Sequence, residues 1–176
     1  MMKSEMIFSG IGGQGTILMG KLICTAAAAK GLNVTLAPAY GQEKRGGRAS
    51  CQVVLSKEIG SPVISEADTI LVMDEESFKD YEHKVKVGGT LIFNSSMIDI
   101  ATKRTDINVV EVPFTEIATR IGSAKSSNMV ALGAVVRTLN VITLDEVREV
   151  LKRKMRSELV DVNIQALEAG YFFTKE

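Results

Sequence analysis

The stretch FSGIGGQGTILMGKLICTAAAAKG, Phe8–Gly31, decides how the chain is read. It holds Gly10-x-Gly12-x-x-Gly15, the spacing of a phosphate-binding turn between a strand and a helix. Before the turn, Glu5–Ser9 reads as a short apolar strand. After it, Thr16–Lys30 carries Ile17, Leu18, Leu22, Ile23 and four alanines, a helical pattern with Gly31 placed as its stop. Glycines allow positive φ and close backbone approach, and a helix start offers free N–H groups at the positive end of its dipole. Three readings fit: a dinucleotide site, a tight turn that only seats the helix on a sheet, and a turn facing an anionic ligand held mostly by other chains.

A nicotinamide site needs an Asp or Glu about 20 residues further on, at the end of the second strand, to hold the ribose. That region is Thr35-Leu36-Ala37-Pro38-Ala39-Tyr40, and the next acid, Glu43, falls in the following loop. The arginines an NADP site would use, Arg45 and Arg48, also come too late. Gln14, flanked by Gly13 and Gly15, suits the third reading, because an amide at a helix start can bond a ligand or a partner's backbone.

Outward from the turn, Asn33–Tyr40 and Ala49–Ser56 read as strands, joined by Gly41–Arg48 (GQEKRGGR). A parallel crossover needs roughly a dozen residues or more, so this pair is expected to be antiparallel and the sheet mixed. Thr69–Met73 predicts a buried strand, Glu76–Val85 a helix, Val87–Ser96 a turn and strand, and Ile107–Pro113 another strand. Thr115–Ile121 predicts a short helix closing at Gly122. Met129–Leu139, apolar nearly all round, predicts a buried helix with Asn128 as its N-cap. Leu144–Met155 and Val160–Tyr171 predict amphipathic helices. The alternation points to an α/β class: a three-layer α/β/α sandwich, Rossmann-like, with a mixed, mostly parallel sheet and one domain over residues 1–176.

In such a sheet the glycine turn and the Gly41–Arg48 loop leave the same edge and should face one crevice. Lys44, Arg45 and Arg48 could meet a carboxylate or phosphate there, or form a solvated basic loop. Gln42 and Glu43 are hydrogen-bonding candidates or plain loop polars. Asp74-Glu75-Glu76 reads as an acid-rich helix start before it reads as a metal site or a base. His83, the only histidine, reads as an exposed helical residue. Ser126-Ser127-Asn128 fits either an anion or a cap. Cys24 and Cys51 form no C-x-x-C, which excludes a cluster or structural zinc held by this chain alone; free buried thiols are expected over a disulfide.

Lys+Arg and Asp+Glu both number 21, so the whole-chain charge offers no handle for nucleic acid. No signal-peptide core and no apolar run of about 18 residues is present, and the expected location is cytoplasmic, with no membrane contact.

Four segments occur in order: GIGGQGTILMGKLICTAAAAKG (10–31), YGQEKRGGRASCQVVLS (40–56), EIGSPVI (58–64) and NMVALGAV (128–135). Together, over essentially the whole chain, they resemble the gamma subunit of the 2-oxoacid:ferredoxin oxidoreductases. Arg45-Gly46-Gly47, followed by Ser50-Cys51-Gln52-Val53-Val54, is most similar to the 2-oxoglutarate type. The pyruvate type tends to depart after Arg-Gly, and indolepyruvate-type beta subunits share both glycine motifs. The resemblance implies an enzyme that oxidatively decarboxylates a 2-oxoacid, transfers the acyl group to coenzyme A and passes electrons to ferredoxin. It also implies that thiamine diphosphate, Mg²⁺ and [4Fe–4S] clusters sit on partner subunits: alpha and beta thiamine-binding subunits and a ferredoxin-like subunit. This chain would then carry no catalytic or metal-binding residue. By motif match its ligand- or interface-binding residues are Gly10, Gly12, Gly13, Gln14, Gly15, Gly41, Gln42, Glu43, Arg45, Gly46 and Gly47, with Thr16, Arg48 and Asn128 beside them. Gln42 stands where the family commonly has proline. Self-association of the isolated chain stays open.

Overall fold

The computed structural model describes residues 3–41, 43, 46–58, 61 and 63–175. Its strands are β1 (Lys3–Ile11), β2 (Asn33–Tyr40), β3 (Arg48–Ser56), β4 (Ala67–Val72), β5 (Val85–Asn94) and β6 (Asn108–Val112). Its helices are α1 (Thr16–Ala29), α2 (Glu75–Tyr81), α3 (Phe114–Arg120), α4 (Ser127–Thr138), α5 (Leu144–Lys154) and α6 (Ser157–Tyr171). One six-stranded sheet runs β2-β3-β1-β4-β5-β6. β3 is antiparallel to both β1 and β2, while β1, β4, β5 and β6 pair in parallel. The mixed sheet expected from the short β2–β3 connection is therefore present. β3 also inserts between β2 and β1, so α1 crosses over it to reach the edge strand.

The two faces are covered unequally. The larger core gathers Met6, Phe8, Cys51, Val53 and Leu71 from the sheet under α1, α3, α4, α5 and α6. The smaller one places Ile7, Val54, Ile70, Val72 and Phe93 against Phe78 of α2 and Ile64 and Ile98 of the loops. Alternation along each strand decides this division, since successive side chains point to opposite faces. α4 is buried nearly throughout, as its all-round apolar sequence requires.

Local chemistry explains several element ends. α1 stops where Gly31 takes φ +77°, with Gly31 N–H bonding Ala28 O at 2.9 Å and Leu32 N–H bonding Ala27 O at 3.2 Å. α5 begins with a capping box of Thr143 and Glu146. Two expectations need correction. The helix read as 76–85 ends at Tyr81; a 3₁₀ turn follows over Glu82–Lys84, and Val85 opens β5 because its side chain is needed in the smaller core. Asn128 is not the cap of α4. That position belongs to Ser126, whose hydroxyl is bonded to Ser123 and to Asn163 of α6, and Asn128 lies inside the first turn.

At the sheet edge away from the glycine turn, Glu5 is nearly buried between Lys86 Nζ at 2.5 Å and Lys3 Nζ at 2.6 Å. Lys86 also reaches Asp68 at 2.9 Å. Burial alone would raise the Glu5 pKa, but the two ammonium groups outweigh it and hold the carboxyl below its ordinary 4.5. A lowered carboxylate stabilises the fold above its unfolded pKa and loses that contribution as pH falls through the lower folded value. Glu5→Gln is therefore expected to cost about 1–2 kcal/mol at pH 7 and progressively less below pH ~4.5. Urea midpoints of wild type and variant at pH 7 and pH 3 check this, with the gap closing at the acid end.

Candidate functional site: a crevice between two glycine loops

The site lies where β1 ends. Ile11–Gln14 forms a tight turn closed by Gln14 N–H to Ile11 O at 3.0 Å. The Gln14 side chain folds back, its Oε1 accepting from Ile11 N–H at 2.7 Å. The acceptor half of the amide expected to bond a ligand or a partner's backbone is therefore spent on the turn itself. Gly13 (φ +100°) and Gly15 (φ +79°) occupy the left-handed region, and Gly15 is the residue from which α1 departs. Gly10 is boxed in by Met73 Cβ and Thr16 Cγ2, each 3.1 Å from where a Cβ would sit. Thr16 is buried, its hydroxyl reaching Ala49 O at 3.4 Å.

The second loop closes on the first. Gly41 N–H bonds Arg48 O, and Gly12 N–H bonds Gly47 O, both at 2.7 Å. Gly46 has φ +74°, and a Cβ on Gly47 would lie 2.6 Å from Glu43 O. Between the loops opens a cleft of about 550 Å³, lined by Gly12, Gly13, Gly15, Leu18, Tyr40 and Glu43 among others. Its rim is apolar and open to solvent: Tyr40 is 71% exposed and Leu18 40%. Asn128 of α4 lies against Gly15, its side-chain amide packed so closely that no Cβ fits there. Two helix starts, those of α1 and α4, thus converge on Gly15. Gln42, Lys44 and Arg45 lie outside the described residues.

Arg48 also borders the cleft, but its guanidinium is engaged by α2. Its guanidinium pairs with Asp80 and, at 3.4 Å, with Glu76, both on α2. Nothing in the loop's own composition indicated this; the signal was two acids four residues apart on one helix face, Glu76 and Asp80. Asp74 caps α2, accepting from Ser77 N–H at 3.0 Å, which explains the acid-rich segment as a helix start. His83 is exposed. Cys24 and Cys51 are free and buried, and burial pushes their thiols up to about 11 and about 12, so both stay protonated and unreactive near neutral pH. Among the described residues, no group of three or more His, Cys, Asp and Glu is placed to hold a metal ion, and no helix is long and apolar enough to cross a membrane. A second cleft of about 550 Å³ lies at the far sheet edge, between β6, α4 and Phe173. It contains no residue of the two glycine motifs.

Strand order also bears on the dinucleotide reading. In a nucleotide-binding Rossmann sheet the ribose acid ends the strand next to β1. Here β3 occupies that place and runs the other way, so the start of β3 and its loop stand where the ribose would lie. β2 ends in Ala39 and Tyr40, without a carboxylate.

Residues 5–173 match the family described as pyruvate ferredoxin/flavodoxin oxidoreductase. The chain is 32% identical to the 2-oxoglutarate synthase subunit KorC of Methanothermobacter marburgensis, over 96% of this chain and 95% of that protein. It is 34% identical to the ketoisovalerate oxidoreductase subunit VorA of Methanothermobacter thermautotrophicus, over 96% of this chain but only 36% of the relative, so it spans about a third of that protein's length. Among solved structures, the keto/oxoacid ferredoxin oxidoreductase gamma subunit from Geobacter sulfurreducens superposes with a TM-score of 0.86 at 26% identity, covering 97% of this chain and 95% of that one. A 2-oxoglutarate:ferredoxin oxidoreductase from Magnetococcus marinus, with 2-oxoglutarate, coenzyme A and succinyl-CoA bound, superposes with a TM-score of 0.87 at 26% identity, covering 96% of this chain and 30% of that one. The two glycine motifs, the sheet that brings them together and the match over nearly the whole chain make this protein a member of the pyruvate ferredoxin/flavodoxin oxidoreductase family.

Proposed function

We propose that the chain is the gamma-type component of a coenzyme A-dependent 2-oxoacid:ferredoxin oxidoreductase, of the 2-oxoglutarate type. Its part is to present the crevice between Gly12 and Gly47 to coenzyme A and to the thiamine-binding subunits. The hydrogen bond from Gly12 N–H to Gly47 O carries this reading, because it welds the two motifs into one concave surface at the start of α1. The near full-length likeness to a 2-oxoglutarate synthase subunit supports the substrate class. The coenzyme A in the Magnetococcus enzyme supports the ligand class.

This chain contributes shape and dipoles rather than bond-making groups. Orphan N–H groups in the first turn of α1 and the positive end of its dipole suit a phosphate-bearing ligand. Leu18 and Tyr40 supply apolar rim area of the kind that is buried on assembly. In this reading Mg²⁺, the [4Fe–4S] clusters and thiamine diphosphate belong to the alpha, beta and ferredoxin-like partners.

The test is reconstitution. The isolated chain is expected to show no 2-oxoglutarate-dependent dye reduction, and the thiamine-binding subunits are expected to need it for coenzyme A-dependent turnover. Full turnover by the other subunits without this chain, or tight binding of NAD by the chain alone in calorimetry, would overturn the reading.

A further inference from the structure

Along β3, Ala49, Cys51, Val53 and Leu55 face α1, while Arg48, Ser50 and Val54 fall on the α2 face. α2 meets them with three side chains. Asp80 pairs with Nη1 of Arg48, Glu76 lies 3.4 Å from its Nη2, and the Tyr81 hydroxyl donates to Ser50 Oγ at 3.2 Å. Arg48 is also a backbone junction. Its carbonyl accepts from Gly41 N–H, and the residue before it, Gly47, accepts from Gly12 N–H. One side chain on the far face of the sheet is therefore tied to the two hydrogen bonds that shape the crevice.

We infer that Arg48, gripped by Asp80 and Glu76, is a positioning residue that latches the start of β3 against the glycine turn, so that α2 bears on the crevice from the opposite side of the sheet. The side chains of Arg48, Asp80 and Glu76 are 55%, 38% and 72% exposed, so the grip is modest, screened by salt and able to open. The latch stands on the geometry alone, and its effect on coenzyme A rests on the function proposed above.

Amide exchange by NMR on the intact chain tests the latch. In the double variant Asp80→Asn, Glu76→Gln the Gly12 and Gly41 amides are expected to exchange about threefold to tenfold faster than in wild type, while those of Ile70 and Leu71 in the core of β4 are unchanged. Molar salt should bring the wild type to the variant's rates. The charge swap Arg48→Asp, Asp80→Arg should restore slow exchange at Gly12. An unchanged Gly12 rate in the double variant overturns the latch, as does a rise spread equally over β4 or a swap that leaves exchange fast. In the reconstituted enzyme the double variant should raise the apparent KM for coenzyme A severalfold with kcat held. Faster exchange without that shift leaves the latch standing and counts against coenzyme A in this crevice.

Discussion

Gly170→Ala is expected to be the most damaging small substitution in the chain. A Cβ at Gly170 would fall well under 3.0 Å from Val130 O, and one at Gly133 equally close to Leu167 O. α4 and α6 therefore touch backbone to backbone, and both glycines are buried. Alanine favours a helix over glycine by about 1 kcal/mol, so an isolated helix would gain from the change. In the folded protein the added methyl has only main chain to displace, and the helices must separate along the seam that closes the larger core. The expected net loss is about 3–5 kcal/mol, at the upper end for overpacking. At this chain length that is a fall in Tm of roughly 10–15 °C. Thermal unfolding of Gly170→Ala and Gly133→Ala measures it, and a change within about 2 °C for both would show that the contact is not close.

Gly15→Ala is expected to have the largest effect on the site. At φ +79° an L side chain costs about 1 kcal/mol or more, and the new methyl meets the Asn128 side-chain amide. The single variant should lose about 2 kcal/mol in urea denaturation. The double variant with Asn128→Ala should recover about half, because truncation removes the clash but not the backbone strain. Function should not recover with stability. Strain at the residue before α1 tilts the first-turn N–H groups, so reconstituted turnover is expected to stay roughly tenfold or more below wild type in both variants, a loss of about 1.4 kcal/mol of binding or transition-state energy. Full activity in the double variant would mean that the first turn of α1 does not face the ligand.

The two glycine predictions differ in what a reader of the chain could foresee. Gly15 sits in a spaced motif between a strand and a helix, so its backbone role is local and legible. Gly170 sits in an ordinary amphipathic helix, and only the approach of α4 makes it intolerant. The same division holds at the site. That the Gly41–Arg48 loop and the glycine turn share an edge followed from strand direction. That Gly12 bonds Gly47 needed β3 to insert beside β1. Asn128 was read as a cap because it follows two serines, but Ser126 took that place and Asn128 became the wall behind Gly15. The helix read to Val85 was cut at Tyr81 because Val85 fills the core beneath α2. Gln42 and Arg45, both named from the motif, fall outside the described residues.

By itself the amino-acid order determined what is set by neighbours along the chain: the alternating elements, the glycine turn with positive φ at its helix start, the antiparallel β2–β3 pair imposed by a short connection, the buried α4 and the absence of a ribose-binding acid. Only the tertiary structure decided what depends on residues far apart: β3 between β1 and β2, the backbone contact of α4 with α6, and the pairing of the Arg48 guanidinium with Asp80 and Glu76. The reason is physical. Periodicity and turn chemistry act over a few residues, whereas which strand neighbours which, and which charge finds which, is settled when the faces of the sheet compete for the same side chains during packing.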